Sequence, residues 1–241
     1  MSKPKLDICL SPQLYNLHKL QNQIVVVIDV IRASTSICVA LNNGVTAIAP
    51  IASINDAKAF KSKGYITAGE RESKQLEGFD LGNSPFDFEH TKLQSHKLAM
   101  TTTNGTQAIN VAKNSDEVII GTFINAKAVL NYLLATDKNV LLLCAGWTNK
   151  VNVEDTLFAG MLAQELLQSN KYNFDSDSVN LAIELYNSAS NKLLEFILKN
   201  SPRLAGKYDR LKADIDRCLE IDKINIVPIL KNDHLVSNHA S

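Results

Sequence analysis

The sequence predicts an α/β layered fold with a largely parallel or mixed sheet and helices on both faces. Three observations carry this reading. Short β-branched runs recur along the chain, apolar throughout rather than alternating, as expected for strands buried on both faces. Segments of helical periodicity stand between them, so that strand and helix alternate. The length of 241 residues, 45% hydrophobic and 21% charged, is enough to build a proper core. In order, Ile24–Ile28 reads as a strand feeding a helix over Ser34–Leu41, and Val45–Ala49 as a strand feeding a helix over Ser53–Lys63. Leu98–Thr101 precedes a helix over Thr106–Ala112, Val118–Ile120 precedes one over Asn125–Ala135, and Val140–Cys144 precedes Val153–Gln168, where Leu157, Met161, Leu162 and Glu165 share helical spacing. Beyond Gln168 the texture changes. Ser169–Ser178 is polar and Asp-rich, a long helical pattern runs from Val179 to Lys199, and Ser201-Pro202 ends it. Asp214–Pro228 holds two short apolar groups that are expected to return to the body of the fold. Without internal repeats or a clear linker, the expectation is one domain over 1–241 with an appended helical region near 179–212.

Lys plus Arg number 25 and Asp plus Glu 25, so no global field draws nucleic acid or an anionic membrane, and any anion specificity must be local. The N-terminal stretch Met1 to Asp7 lacks the apolar core of a signal peptide, and no apolar run approaches the roughly 20 residues of a membrane span. A cytoplasmic protein is expected, with a homo-oligomer left open. Cys9, Cys38, Cys144 and Cys218 are widely spaced and read as reduced thiols. His18, His90, His96, His234 and His239 form no ligand-spaced pair, which disfavours a zinc hydrolase.

Ligands of parallel α/β sheets bind beyond the carboxyl ends of the strands, and four such places are chemically loaded. After Ile28 come Asp29, Arg32 and the hydroxyls of Ser34, Thr35 and Ser36 at a helix start, where anions bind. The plainer alternative is an Asp29–Arg32 salt bridge with Ser34 as helix cap. A second segment runs from Gly69-Glu70-Arg71-Glu72 through Gly78-Phe79-Asp80-Leu81-Gly82-Asn83-Ser84-Pro85. It repeats the pairing of acid and guanidinium in Glu70-Arg71, while Glu72 and Asp80 read as ordinary loop residues. In the third, Thr101-Thr102-Thr103-Asn104-Gly105-Thr106 offers hydroxyls and free amides between a strand and a helix. The fourth follows Cys144, where Glu154-Asp155 at a helix start suits either a hard cation or the helix dipole. Arg203 and Arg210 lack any strand-end context and read as surface arginines. No P-loop, dinucleotide fingerprint or nucleophile elbow is present, and Ile31 stands where a haloacid-dehalogenase phosphatase would carry its second acid.

Taken together, V-V-I-D-V-I-R-A-S-T-S at 26–36, A-G-E-R at 68–71, G-F-D-L-G-N-S-P at 78–85, T-T-T-N-G-T at 101–106, and L-L-C-A-G-W with E-D-T-L-F-A-G at 142–160 resemble the 2-phosphosulfolactate phosphatase family. Ser34 and Ser36 replace threonines while keeping hydroxyls, and the loop Thr148–Val153 departs from the family pattern, which bears on substrate preference. The resemblance implies a distinctive α/β fold and Mg²⁺-dependent hydrolysis of (R)-2-phospho-3-sulfolactate to 3-sulfolactate and phosphate, on a route to coenzyme M. On that basis Asp29, Arg32 and Glu70 are the catalytic candidates, and Asp29, Glu70, Glu154 and Asp155 the Mg²⁺ ligands. The substrate, a small anionic phosphomonoester, would be held by Arg32, Ser34, Arg71, Asn83, Thr102, Thr103, Asn104, Gly105 and Thr106. Rival readings are a phosphatase of other small 2-phospho-hydroxyacids and a non-catalytic binder of an anionic metabolite.

Overall fold

In β2 (Gln23–Ile28) every residue is buried, which is what an unbroken apolar run requires of a strand covered on both faces. The other four runs read as strands also form them, as β3 (Ala47–Pro50), β6 (Lys97–Thr101), β7 (Glu117–Ile120) and β8 (Asn139–Cys144). The computed structural model describes residues 3–89, 91–189 and 191–239; Met1, Ser2 and His90, used in the sequence reading, lie outside them. Five further strands escape the apolar pattern: β1 (Leu6–Cys9), β4 (Ile66–Arg71), β5 (Lys74–Gln75), β9 (Ile226–Lys231) and β10 (His234–His239). They are short, polar or interrupted by Gly69 and Pro228, which weakens a pattern-based assignment.

The helices are α1 (Ala33–Asn42), α2 (Ile54–Ala59), α3 (Gly105–Ala112), α4 (Ala126–Leu134), α5 (Val153–Gln168), α6 (Asp177–Ala189), α7 (Leu193–Asn200), α8 (Pro202–Ala205) and α9 (Tyr208–Cys218). Two expectations are corrected here. The helix expected over Ser53–Lys63 stops at Ala59 and tightens into a 3₁₀ turn over Phe60–Lys63, ended by Gly64 at φ +79°. The long helix expected over Val179–Lys199 is divided into α6 and α7. Ser188 and Asn191 flank the division, and such side chains compete with the helix for backbone hydrogen bonds. Asp214 lies within α9, which ends at Cys218, and the chain then returns to the sheet as β9.

The strand order is β1-β8-β2-β7-β9-β10-β3-β6-β4-β5. The strands β1-β8-β2-β7 pair in parallel, as do β3-β6-β4. Between these blocks the β9–β10 hairpin makes antiparallel pairs on both flanks, so three successive reversals set the two blocks in opposite sense. Side chains alternate across β2. Ile24, Val26 and Ile28 pack into one core with Phe158 and Leu162 of α5 and Ile215 of α9. Val25 and Val27 pack into a second core with Ile37 of α1, Ile109 of α3, and Ile48 and Leu98 of the other block. Each such side chain is worth about 1.5–3 kcal/mol of burial. Helices α1 and α3 therefore share a core with both blocks. The strand-end loops do not hang from one edge of a single parallel sheet, as sequence reasoning expects; they come from two blocks brought together over α1 and α3.

Candidate active site

At the exit of β2 the backbone folds back on itself. The Asp29 amide donates to Ser34 Oγ at 2.9 Å, and the Ser34 amide donates to the Asp29 carbonyl at 2.9 Å. Beneath this turn lies Asp155, fully buried. Its Oδ1 accepts from the Val30 amide at 2.9 Å, and its Oδ2 from the Gly146 amide at 3.0 Å and Asn152 Nδ2 at 2.9 Å. Asp155 thus ties the exit of β2 to the exit of β8. The turn leaves Asp29, 6% exposed, facing a cavity of about 390 Å³. A Cβ at Gly105 would lie 2.7 Å from Asp29 Oδ2, so α3 can begin against this carboxylate only because residue 105 has no side chain.

From the other block, β4 ends in Glu70, whose Oε1 accepts from the Thr103 amide (3.1 Å) and hydroxyl (3.0 Å) and whose Oε2 accepts from the Ser73 amide at 2.9 Å. Glu72 and Ser73 make the two-residue turn into β5, both at positive φ. Arg71 donates to the Glu70 carbonyl at 2.6 Å and to Thr101 Oγ1 at 3.2 Å. Thr102 and Thr106 cap α3 reciprocally: the Thr106 amide donates to Thr102 Oγ1 at 3.1 Å, and Thr106 Oγ1 donates to the Thr102 carbonyl at 2.9 Å. Asn83 is 5% exposed, and its Oδ1 has no hydrogen-bond partner although it is buried on the cavity wall.

The structure brings Asp29, Arg32, Glu70, Arg71, Asn83, Thr102, Thr103 and Asn104 to one cavity. Ser34, Gly105, Thr106, Glu154 and Asp155 stand behind its wall. The hydroxyls of Ser34 and Thr106 are spent on the turns that shape the site, and both oxygens of Asp155 are spent on amides. The Asp29–Arg32 salt bridge considered as an alternative does not form. Arg32 Nη1 donates instead to Asp214 Oδ2 at 2.5 Å, while Ser84 Oγ donates to Asp214 Oδ1 at 2.6 Å. Ser34 is not a helix cap either; α1 begins after Arg32 without a side-chain cap.

Sequence reasoning missed the contribution of the helical region. Arg203, expected to be a surface residue, lines the cavity, donates to the buried Glu154 Oε1 at 2.5 Å and lies over the Trp147 ring at 5.4 Å. Arg210 is exposed, as expected. Lys207, Leu204 and Leu211 also face the cavity, as do Trp147 and the rim residue Glu72. Helical spacing gave no signal for this region, because Gly206 and Lys207 form a turn that separates α8 from α9.

Four carboxylates set the electrostatics. Burial first, then the charges of Glu70 and Glu154, push Asp29 up to about 7, against the opposing pull of the Ala33 amide and Arg203. Asp155 is raised well above the usual carboxylate range by burial and by the charges of Asp29 and Glu154. Glu154 Oε2 is buried without a hydrogen-bond partner. Negative charge gathered beside cationic side chains suits a hard cation together with an anionic ligand. Among the described residues, no three His, Cys, Asp or Glu side chains form a ready cage for an ion.

A family model described as 2-phosphosulpholactate phosphatase matches residues 9–233. A probable 2-phosphosulfolactate phosphatase of Caldanaerobacter subterraneus subsp. tengcongensis is 36% identical over 224 residues, covering 90% of this chain and 91% of the relative. Relatives bearing the same description in Thermotoga maritima (35% over 209 residues; 86% and 88% covered) and Prochlorococcus marinus (37% over 213 residues; 84% and 87%) are similar along nearly the same span.

Proposed function

The chain belongs to the 2-phosphosulfolactate phosphatase family, phosphoric monoester hydrolases, and from that premise we propose that it hydrolyses (R)-2-phospho-3-sulfolactate to 3-sulfolactate and phosphate with Mg²⁺. The observation that carries this reading is the meeting of Asp29, Arg32, Glu70, Arg71 and the Thr102–Asn104 turn, from two separate sheet blocks, on one cavity. A phosphomonoester dianion repels its attacker, so the site must first neutralise it. Arg32 does this from a fixed position, because its guanidinium is pinned by Asp214, which is itself held by the Ser84 hydroxyl. Thr102 and Asn104, which face the cavity, add neutral donors for the phosphoryl oxygens. Glu70 takes no part in bond-making; with both oxygens engaged, it fixes Thr103 and the Glu72-Ser73 turn. Asp29 faces the phosphoryl group and orients the attacking water.

The residues fit Mg²⁺, which needs only one or two carboxylates and completes its octahedron with water and phosphate oxygens. Asp29 would hold it from the cavity side, and Glu154, which lies behind the wall but whose charge acts on Asp29 and whose Oε2 has no partner, would supply the second oxygen, whereas both oxygens of Asp155 and of Glu70 already accept hydrogen bonds. When bound, the ion supplies charge neutralisation and an acidified water. Its charge would also relieve the mutual repulsion of Asp29, Glu70 and Glu154. Four buried, unpaired thiols support action in the reducing cytoplasm, and no helix of the described residues is long and apolar enough to cross a membrane. The test is phosphate release from 2-phosphosulfolactate. Release should stop in excess chelator and return with Mg²⁺; full activity in chelator would remove the metal, and no release under any condition would leave only a binder of an anionic metabolite.

A further inference from the structure

The end of α8 and the start of α9 meet the cavity. Leu204 in α8 and Leu211 in α9 are buried in the core shared with α5 and β2, which anchors the turn between the two helices, and Arg203 and Lys207 line the cavity beside them. The four cations of the cavity differ in how they are compensated. Arg32 is paired with Asp214 and Arg203 with Glu154. Arg71 donates only to neutral oxygens, those of the Glu70 carbonyl and the Thr101 hydroxyl. Lys207 has neither a salt bridge nor a side-chain hydrogen bond among the described residues, although it is only partly exposed. The phosphoryl group takes the pinned Arg32 and the Thr102–Asn104 turn, which leaves two uncompensated cations for two further anionic groups.

We propose that Lys207 is the specificity residue for the sulfonate of the substrate, with Arg71 left to the carboxylate; this rests on the phosphatase reading above. Side-chain chemistry makes the assignment. A planar guanidinium fork matches the two coplanar oxygens of a carboxylate. A sulfonate presents three tetrahedral oxygens, and a compact ammonium on a flexible stem meets them as a point charge. Lys207 acts on binding, from a part of the chain far in sequence from Asp29, and takes no part in the bond-breaking step.

The test is Lys207→Met, with Lys207→Arg as the charge-retaining control. Phosphate release is measured with 2-phosphosulfolactate and with 2-phospholactate, in which a methyl group replaces the sulfonate-bearing carbon. Trp147, the only tryptophan of the chain, lines the cavity, so its fluorescence reports binding without turnover. Lys207→Met should raise KM for 2-phosphosulfolactate at least tenfold with kcat within about twofold, weaken 3-sulfolactate binding to match, and change KM for 2-phospholactate no more than twofold. Lys207→Arg should recover most of the loss. Equal losses with both substrates, or no loss with either, would overturn the proposal. If no variant releases phosphate while 3-sulfolactate binding still depends on Lys207, the phosphatase reading falls and the sulfonate site stands.

Discussion

Replacing Asp29 by asparagine tests both the chemistry and the electrostatics of the site, because the two respond in opposite directions. The carboxyl group of Asp29 ionises near 3.8 when unperturbed and near 7 in the fold. At 1.36 kcal/mol per pH unit, this displacement corresponds to about 4 kcal/mol. The sign follows from proton binding. Below about pH 4 the group is neutral in folded and unfolded chains alike, and asparagine and aspartate are equivalent in charge. Between about 4 and 7 the unfolded chain has released its proton while the fold retains it, so stability falls as pH rises and the full penalty is present above 7. Asparagine carries no such penalty. In chelator, urea unfolding of Asp29→Asn should show a gain over the unsubstituted protein that grows from near zero at pH 4 to as much as about 4 kcal/mol at pH 8, while kcat for phosphate release falls at least about a hundredfold. Mg²⁺ should narrow the gap by stabilising only the protein that retains the carboxylate. A gain independent of pH, or a loss of stability at pH 8, would refute the electrostatic reasoning; an undiminished kcat would remove Asp29 from the reaction.

Two further substitutions probe the cations. Arg32→Lys should lower kcat/KM by about 2–4 kcal/mol of transition-state binding, since a lysine cannot both pair with Asp214 and present a fork to the phosphoryl oxygens; the exposed Arg210→Lys serves as the silent control, and a fewfold effect at Arg32 would exclude it from the site. Arg203→Met leaves Glu154, 1% exposed, as a buried charge without its partner. It should destabilise the fold by about 3–5 kcal/mol in urea unfolding, with Glu154→Gln in the same chain recovering a large part; strict additivity of the two would show that the pair is not coupled.

The residues that are legible locally are those whose chemistry conflicts with their place in the apolar pattern. Asp29 and Arg32 follow five consecutive β-branched residues, and a charge on a buried strand end has to be paired or used. The Thr101–Thr106 turn announces itself by composition. Glu70 is weaker, because β4 contains a glycine and its hairpin turn is made by Glu72 and Ser73 at positive φ, where sequence patterns expect Asn or Gly. Asp214, Arg203 and Lys207 carry no local signal at all, because amphipathic helices place charged residues on their outer faces as a matter of course.

The chain's sequence by itself determined the layered α/β class, the five principal strands and the strand-end positions of Asp29 and the Thr102–Asn104 turn, because period and apolar run length are properties of neighbours along the backbone. The tertiary structure alone decided which charges meet. It joined two parallel blocks of opposite sense through the β9–β10 hairpin, set α1 and α3 in a core common to both, and brought the helical region over the cavity. That packing assigned Arg32 to Asp214 over a sequence separation of 182 residues, and Arg203 to Glu154 over 49. It also withdrew Ser34, Thr106 and Asp155 behind the wall. The physical reason is that an ion pair or a hydrogen bond depends on distance in space, and the distances that matter here are produced by burying Leu204, Leu211 and Ile215 against the sheet, a process to which the charged residues themselves contribute little.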